Sequence, residues 1–387
     1  MKLALDLGRK RLRKCIGNLE NVQVVASSYR DITGETMVRK DLDVPHDHFI
    51  IEKCPWDAIE GRTIVKEGAY SFFPGHTVES SNEDKKYDQD ATYLNAAYGL
   101  ATSLLYRTLG NDEQIGVGLC IPTGEFYSAD SDLVKDRLVG SYSIFFPVLN
   151  RRVSFKLQKK DIVLMPEGVV ALYPMLKTSY RDAIRSSNVM VVDAGHGSLD
   201  ITIVKKMNPQ GASSRSYPES AGTLFETMVA GALEKENFSS SEEAVEMAIS
   251  EGKRSFGSSS EPVGELITRV RQQYANEVKS AMLRACAFAK MSPKDINMVF
   301  PVGRGFVAGG TFNTPTHTGD LASMLVENWT VPIELIQLPE VSVKNTAISL
   351  KANRNRIDER ESTSEYLSKY EIANLHGVSI VLKSSGN

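Results

Sequence analysis

The 387-residue chain has few cysteines, and the four it has, Cys15, Cys54, Cys120 and Cys286, never fall in CxxC spacing. Neither a disulfide framework nor a zinc site is indicated, and a reducing compartment fits. An excess of either charge is also lacking: 45 Lys and Arg stand against 48 Asp and Glu, a formal net charge of −3. That balance gives no global signature for nucleic acid or an anionic membrane, so any contact with DNA is local or made through a partner. No apolar run approaches the length that spans a bilayer. The chain enters a strand within two residues of Met1, leaving no room for a signal peptide or an amphipathic anchor. These absences lead us to expect a soluble cytoplasmic protein with no membrane partner. The bulk composition, 42% hydrophobic and 24% charged, is ordinary, and the length exceeds one typical core, so two or three domains are expected.

What is present is a pair of acidic-glycine turns. Asp6-Leu7-Gly8 follows the apolar run Leu3-Ala4-Leu5, and 187 residues later Asp193-Ala194-Gly195-His196-Gly197 follows Val189-Met190-Val191-Val192. A buried strand ending in Asp-x-Gly delivers a carboxylate to the strand mouth, and the glycine lets backbone N–H groups close around an anion. One such turn has an ordinary explanation, because Asp bonds its own backbone in turns and Gly supplies positive φ. Two of them, each opening a hairpin and half a chain apart, point to a duplicated domain whose halves hold a nucleotide phosphate chain between them. A carboxylate beside phosphates usually works through Mg²⁺, which takes oxygen ligands and keeps several waters. The second turn is the more specific, since Gly195 and Gly197 flank one position while Asp193 and Asp200 bracket the loop.

The remaining pattern is α/β. Strands are expected at Lys2 to Leu5, Leu12 to Leu19 and Val22 to Ser27, then a small irregular insertion over about 30–90 that ends in the polar stretch Glu79 to Asp90. A helix over Ala91 to Leu109, a strand at Ile115 to Ile121, a helix in the 130s and strands within 151–164 follow, and Pro166 sits near the first turn of a helix running to Lys177. After Asp193 the pattern restarts with a strand at Ile201 to Lys205. Glu219-Ser220-Ala221-Gly222 leads into a helix through Leu233, and helices are expected at Ser241 to Glu251 and Val263 to Lys290, then a strand at Met298 to Val302, a glycine segment over 303–310, a helix at Asp320 to Asn328 and a strand at Ile333 to Gln337. Asn345 to Ala352 reads as helical, and the last twenty residues stay undecided between states.

Five segments in order carry a resemblance: Asp6-Leu7-Gly8, Pro166-Glu167-Gly168-Val169-Val170-Ala171-Leu172-Tyr173, Asp193 to Asp200, Ser220-Ala221-Gly222 and the 302–310 glycine segment. Together they resemble the actin, Hsp70 and sugar-kinase superfamily over most of the chain. The resemblance implies an actin-like (ribonuclease H-like) duplicated fold, with two similar domains around a nucleotide cleft. Its first domain would be 1–188 with 345–387, and its second 189–344. It implies that ATP and Mg²⁺ are bound there, with Asp6 and Asp193 touching the metal through water and Gly8, Gly195, His196 and Gly197 lying along the phosphates. Glu167 is then the candidate for hydrolysis, with Asp193, because a carboxylate on a helix facing the γ-phosphate can orient a water and accept its proton. The plainer alternative is a carboxylate that complements a helix dipole.

Gly252-Lys253-Arg254-Ser255-Phe256 is similar to the chaperone segment that packs on adenine, so Lys253 and Arg254 are candidates for the base and ribose. A basic helix end is the alternative reading. Gly222, Gly303 and Gly305 are candidates for close approach to the nucleotide. Two departures stand out. The first phosphate loop reads Arg9-Lys10-Arg11-Leu12-Arg13-Lys14, without the usual hydroxyl and with Arg13 at the lysine position; and Arg304 interrupts the glycines, which leaves both ATP and GTP open. His46-Asp47-His48 near Cys54 shows neither the ligand count nor the second shell of a metal site, and two histidines two apart in a charged loop are usually just exposed.

Within the superfamily the chain resembles bacterial actin-like ATPases of the plasmid-segregating kind, ParM- and Alp-like. That resemblance implies nucleotide-dependent filaments of the chain with itself, moving DNA through an adaptor bound to a centromere-like plasmid site, without direct nucleic-acid contact. A sugar- or acetate-type small-molecule kinase is the alternative; it would need a substrate base that the first half does not display.

Overall fold

The computed structural model describes residues 1–8, 11–16, 21–26, 29–31, 48–56, 60–66, 87, 90–105, 115–128, 130–195, 197–211, 214–220, 263–303, 305–306, 321–327, 329, 331–336, 344–345 and 373–384. Strands β1 (Lys2–Leu7), β2 (Arg11–Ile16) and β3 (Asn21–Ala26) form an antiparallel meander. There follow β4 (Tyr29–Asp31), β5 (His48–Lys53), β6 (Thr63–Lys66), helix α1 (Asp90–Leu105) and β7 (Gly116–Ile121). Next come α2 (Thr123–Phe126), α3 (Asp130–Leu138), β8 (Gly140–Phe146), β9 (Arg151–Leu157), β10 (Ile162–Pro166), α4 (Leu172–Met175) and α5 (Arg181–Ser186). The second half holds β11 (Asn188–Ala194), β12 (Leu199–Lys205), β13 (Asn208–Pro209), β14 (Arg215–Tyr217), α6 (Val263–Phe288), β15 (Met298–Val302), α7 (Leu321–Val326) and β16 (Glu334–Leu335). β17 (Lys344–Asn345) and α8 (Ala373–Ser384) end the described chain.

The first sheet runs β10-β7-β1-β2-β3-β17, the second β16-β15-β11-β12-β13 with β14 also on β12. The two orders correspond over five strands, β17 having no counterpart in the second path. In each, a hairpin supplies the centre, a parallel strand reached through a long helix flanks the hairpin's first strand, and another parallel strand lies outside that. Parallel strands covered on both faces read as continuous apolar runs, and β11 and β15 are buried along nearly their whole length for that reason.

α1 covers one face of the first sheet, and its Gly99 lets the helix settle onto Leu5 and Leu12. α8 covers the opposite face against Ala4, Cys15 and Cys120, where Gly118 leaves room for Val378 and Leu382. In the second half α6 lays Val270, Tyr274, Val278, Met282 and Ala285 on the sheet, residues spaced along one stripe of the helix.

Sequence and structure part at three places, and the structure decides a fourth. The stretch expected to be an irregular insertion contributes β4, β5 and β6 to a third, antiparallel sheet of order β4-β6-β5-β8-β9. Tyr142 stacks on Phe155 there at 4.5 Å. Pro166 closes β10 instead of opening a helix; its missing N–H is tolerated at a strand end. Asn345, expected to begin a helix, lies in β17 beside Val22 of β3. The undecided C-terminus forms α8, held by burial of Leu375, Val378 and Leu382 more than by any local signal. The helices expected after Gly222 through Leu233 and at Ser241 to Glu251 lie outside the described residues.

Candidate functional site

The two hairpins repeat each other residue for residue in register. Leu7 pairs with Leu12 and Asp6 with Arg13 in the first; Ala194 pairs with Leu199 and Asp193 with Asp200 in the second. Each acidic residue therefore sits in the strand, two positions before its glycine, and not in the turn itself. Asp6 and Asp193 are both buried, at 5% and 6% exposure. Arg13 donates from Nη1 to Asp6 Oδ2 at 3.2 Å. Asp200 accepts from the Ser198 hydroxyl at 2.8 Å and from the Ser216 hydroxyl.

Three glycine contacts crowd the second hairpin. Gly303 has φ +95°, and a Cβ there would come 2.5 Å from Asp193 Oδ1 and 2.6 Å from the Ala194 carbonyl. At Gly305 a Cβ would meet the Ala194 side chain at 2.7 Å. Gly168, φ +71°, lies against Val191 and Asp193, so the turn bearing Glu167 packs directly on β11. Only residues without a side chain allow these backbones to approach so closely.

Glu167 occupies the turn between β10 and a 3₁₀ turn at Val169–Ala171. It was expected on a helix; Pro166 instead ends a strand, and the positive φ of Gly168 turns the chain before any helix begins. The Glu167 backbone is fixed on both sides. Its N–H donates to the Ile121 carbonyl at 2.8 Å and its carbonyl accepts from Thr123 Oγ1 at 2.8 Å. Its side chain is half-buried.

The electrostatics draw these parts together. The Asp193 carboxyl is pushed up to about 8, first by burial and then by the negative charge of Glu167, with smaller contributions from Asp200 and Asp6, while a hydrogen bond from Asn374 opposes the rise. Acidic groups from both halves thus act on one carboxyl. That donor chemistry fits a hard divalent cation, which takes oxygen and offsets mutual repulsion. Among the described residues no group of three or more His, Cys, Asp or Glu side chains is placed to hold a metal ion.

Gly8, half-buried, directly follows β1; Gly195 and Gly197 lie in the four-residue loop that closes the second hairpin. A Cβ at Gly195 would approach the Ser198 carbonyl at 3.1 Å. The structure thus brings together Asp6, Arg13, Glu167, Asp193, Gly303 and Gly305. His196, Gly222, Lys253, Arg254 and Arg304 lie outside the described residues. Asn374 escaped the sequence reading: its Nδ2 donates to Asp193 Oδ2 at 2.8 Å and its Oδ1 accepts from the Gly168 N–H at 2.8 Å. Nothing local marks it, because its partners are 181 and 206 residues away.

No protein-family model matches the chain, and no curated protein matches it in sequence. Solved structures do. The ParM protein of a 15-stranded filament from Clostridium botulinum is similar over 99% of this chain and 99% of its own, at 16% identity and a TM-score of 0.66. The actin-like protein Alp7A is similar over 99% of this chain and 96% of its own, at 11% identity and a TM-score of 0.68. An archaeal actin homologue solved in complex with ADP is similar over 99% of both chains, at 13% identity and a TM-score of 0.64. The chain has the actin-like fold that the sequence resemblance implied, with the duplicated layout visible in its two matched sheets.

Proposed function

We propose that the protein is a nucleotide-dependent, filament-forming ATPase that moves or segregates plasmid DNA through a DNA-binding adaptor. The observation that carries this reading is the placement of Asp6 and Asp193 at matching positions of two repeated hairpins, with the Glu167 turn packed on the second. In this reading ATP and Mg²⁺ lie between the hairpins; when bound, they supply the phosphoryl group to be lost and the positive charge that balances the surrounding carboxylates.

The roles of the chain's own residues follow from their chemistry. Asp6 and Asp193 would hold the metal through its waters, and the glycine backbones of Gly8, Gly195 and Gly197 would hold the phosphates. Arg13 adds positive charge near the β-phosphate. Glu167, on a backbone fixed at its N–H and its carbonyl, orients the attacking water and takes its proton. His196, Gly222, Lys253, Arg254, Gly303, Arg304 and Gly305 complete the nucleotide surround in this proposal.

Loss of phosphate would change the relative stability of closed and open arrangements of the two halves, and so the fit of one subunit to the next. Head-to-tail contacts that do not close a ring give an open filament. Filament formation by the similar ParM protein and the near-neutral charge of this chain support self-assembly with DNA held through an adaptor. Among the described residues no helix is long and apolar enough to cross a membrane.

Phosphate release and ATP affinity of wild type and Glu167→Ala test the enzymatic part. Wild type should turn over ATP with no added acceptor, and the variant should bind ATP normally while releasing phosphate about 100-fold more slowly or worse. Equal rates would remove Glu167 from its role, and turnover that needs an added acceptor would favour a small-molecule kinase.

A further inference from the structure

We propose that Asn374 is a positioning residue that fixes the Glu167 turn against Asp193, and so couples the C-terminal helix to the hydrolytic carboxylate. The inference rests on the hydrolysis reading given above.

Both ends of the Asn374 side chain are used, and on different elements. Oδ1 accepts from the Gly168 N–H and Nδ2 donates to Asp193 Oδ2, each at 2.8 Å. A backbone N–H can only donate, which sets the orientation of the amide. The residue is 7% exposed, so water does not readily replace either partner. One hydrogen-bonding group thus spans the turn that bears Glu167 and the strand that bears Asp193.

The peptide that follows Glu167 is held at both of its polar atoms. Thr123 Oγ1 donates to the carbonyl and Asn374 accepts from the N–H. The Val169 N–H also donates to that carbonyl, at 2.7 Å, so Asn374 holds the N–H side while the carbonyl has two donors. Rotation of that peptide would re-aim the Glu167 side chain, and breaking the Asn374 contact removes the one restraint on the N–H. Gly377 shows how closely the helix is seated: a Cβ there would come 1.9 Å from the Val170 carbonyl oxygen. Asn374 and Gly377 are three residues apart and so share a helix face, which lies backbone against backbone on the 3₁₀ turn. The same helix reaches β1 at its other end, where Lys2 Nζ donates to the Leu382 carbonyl at 2.6 Å. Its N-terminal end therefore joins the two halves at the candidate site, while its body belongs to the first sheet.

A residue that serves the fold alone would weaken the protein whether or not Glu167 is present. A residue that acts through Glu167 would not. The test is a double-mutant cycle of single-turnover phosphate release with wild type, Asn374→Ala, Glu167→Ala and the double variant, together with ATP affinity and hydrogen exchange of the nucleotide-free chains. We expect Asn374→Ala to slow phosphate release at least about 10-fold, to leave ATP affinity within about 3-fold, and to speed exchange of the Gly168 amide, which loses its acceptor. In the Glu167→Ala background it should have no further effect on release.

Equal losses in both backgrounds, or unchanged release from Asn374→Ala, would overturn the proposal. Wild-type rates from Glu167→Ala alone would instead sink the hydrolysis reading, so the two failures are distinct. Asn374→Asp is a second variant that keeps the acceptor for Gly168, while it removes the donor to Asp193 and sets a carboxyl in its place. It should protect the Gly168 amide yet stay slow; hydrolysis at the wild-type rate would show that the Asp193 contact has no part.

Discussion

Arg13 faces Asp6 across the first hairpin and donates to it at 3.2 Å, both side chains buried. At the same register position of the second hairpin the partner of Asp193 is another acid, Asp200. The duplicated halves are thus unequal in charge where they are equal in geometry: one hairpin carries a neutral pair, the other two carboxyl groups. The negative charge of the second hairpin is therefore not balanced across its strands as that of the first is.

Arg13→Ala removes that charge and the Asp6 contact together. Hydrogen bonds to charged groups contribute about 1.5–3 kcal/mol. The variant should therefore bind ATP about 10- to 100-fold more weakly by calorimetric titration, with Arg13→Lys intermediate because the geometry differs while the charge stays. Wild-type affinity in both would place Arg13 outside the phosphate site.

Gly303 and Gly61 separate backbone strain from contact. Both have positive φ, +95° and +79°, yet a Cβ at Gly61 would meet nothing within 4 Å whereas one at Gly303 would collide with Asp193. Each Ala variant should lose about 1–2 kcal/mol of stability from the left-handed backbone. Only Gly303→Ala should also lose Mg²⁺-nucleotide binding, and an equal loss in Gly61→Ala would refute a local effect at Asp193.

Asp193 makes stability depend on pH with a definite sign. Its acid is pushed up to about 8 in the folded chain by burial and by Glu167, against an ordinary value near 3.8, so the folded state holds a proton that the unfolded state has released. Stability from this group therefore falls as pH rises through that window. Melting of the nucleotide-free chain in chelator should show a decline from pH 5 to 8 that Asp193→Asn flattens. A variant that declines as steeply as wild type would contradict the assignment.

Lys14 acts in the opposite sense. It is buried beside α1, where Nζ donates to Thr102 Oγ1 and to the Gly99 carbonyl, and burial lowers its ammonium from 10.5 to about 7. The unfolded chain keeps the proton that the folded chain loses, so stability from this group rises between pH 7 and 10. Lys14→Met should raise the melting temperature at pH 6 and gain least above pH 10, since Thr102 still donates to the Tyr98 carbonyl. Destabilisation at pH 6 would show that the buried ammonium is held more firmly than its partners imply.

The parts of the fold legible in sequence were those with local signals. β11 and β15 are unbroken apolar runs, α6 carries a clear stripe, and both Asp-x-Gly turns stand at strand ends. The three strands between β3 and α1 were hidden because they are completed by β8 and β9, some eighty to a hundred residues later. Pro166 misled because proline favours both a first helical turn and a strand end, and only pairing with β7 decides between them. Asn374 had no signal at all: its partners are 181 and 206 residues away.

Sedimentation with light scattering, on the purified chain without nucleotide and with ATP, GTP or a slowly hydrolysed ATP analogue, each with Mg²⁺, tests nucleotide-driven assembly most directly. The account predicts pelleting that requires nucleotide, reverses as ATP is consumed in wild type, and persists with the analogue or in Glu167→Ala. A chain that stays in the supernatant under every condition would contradict it.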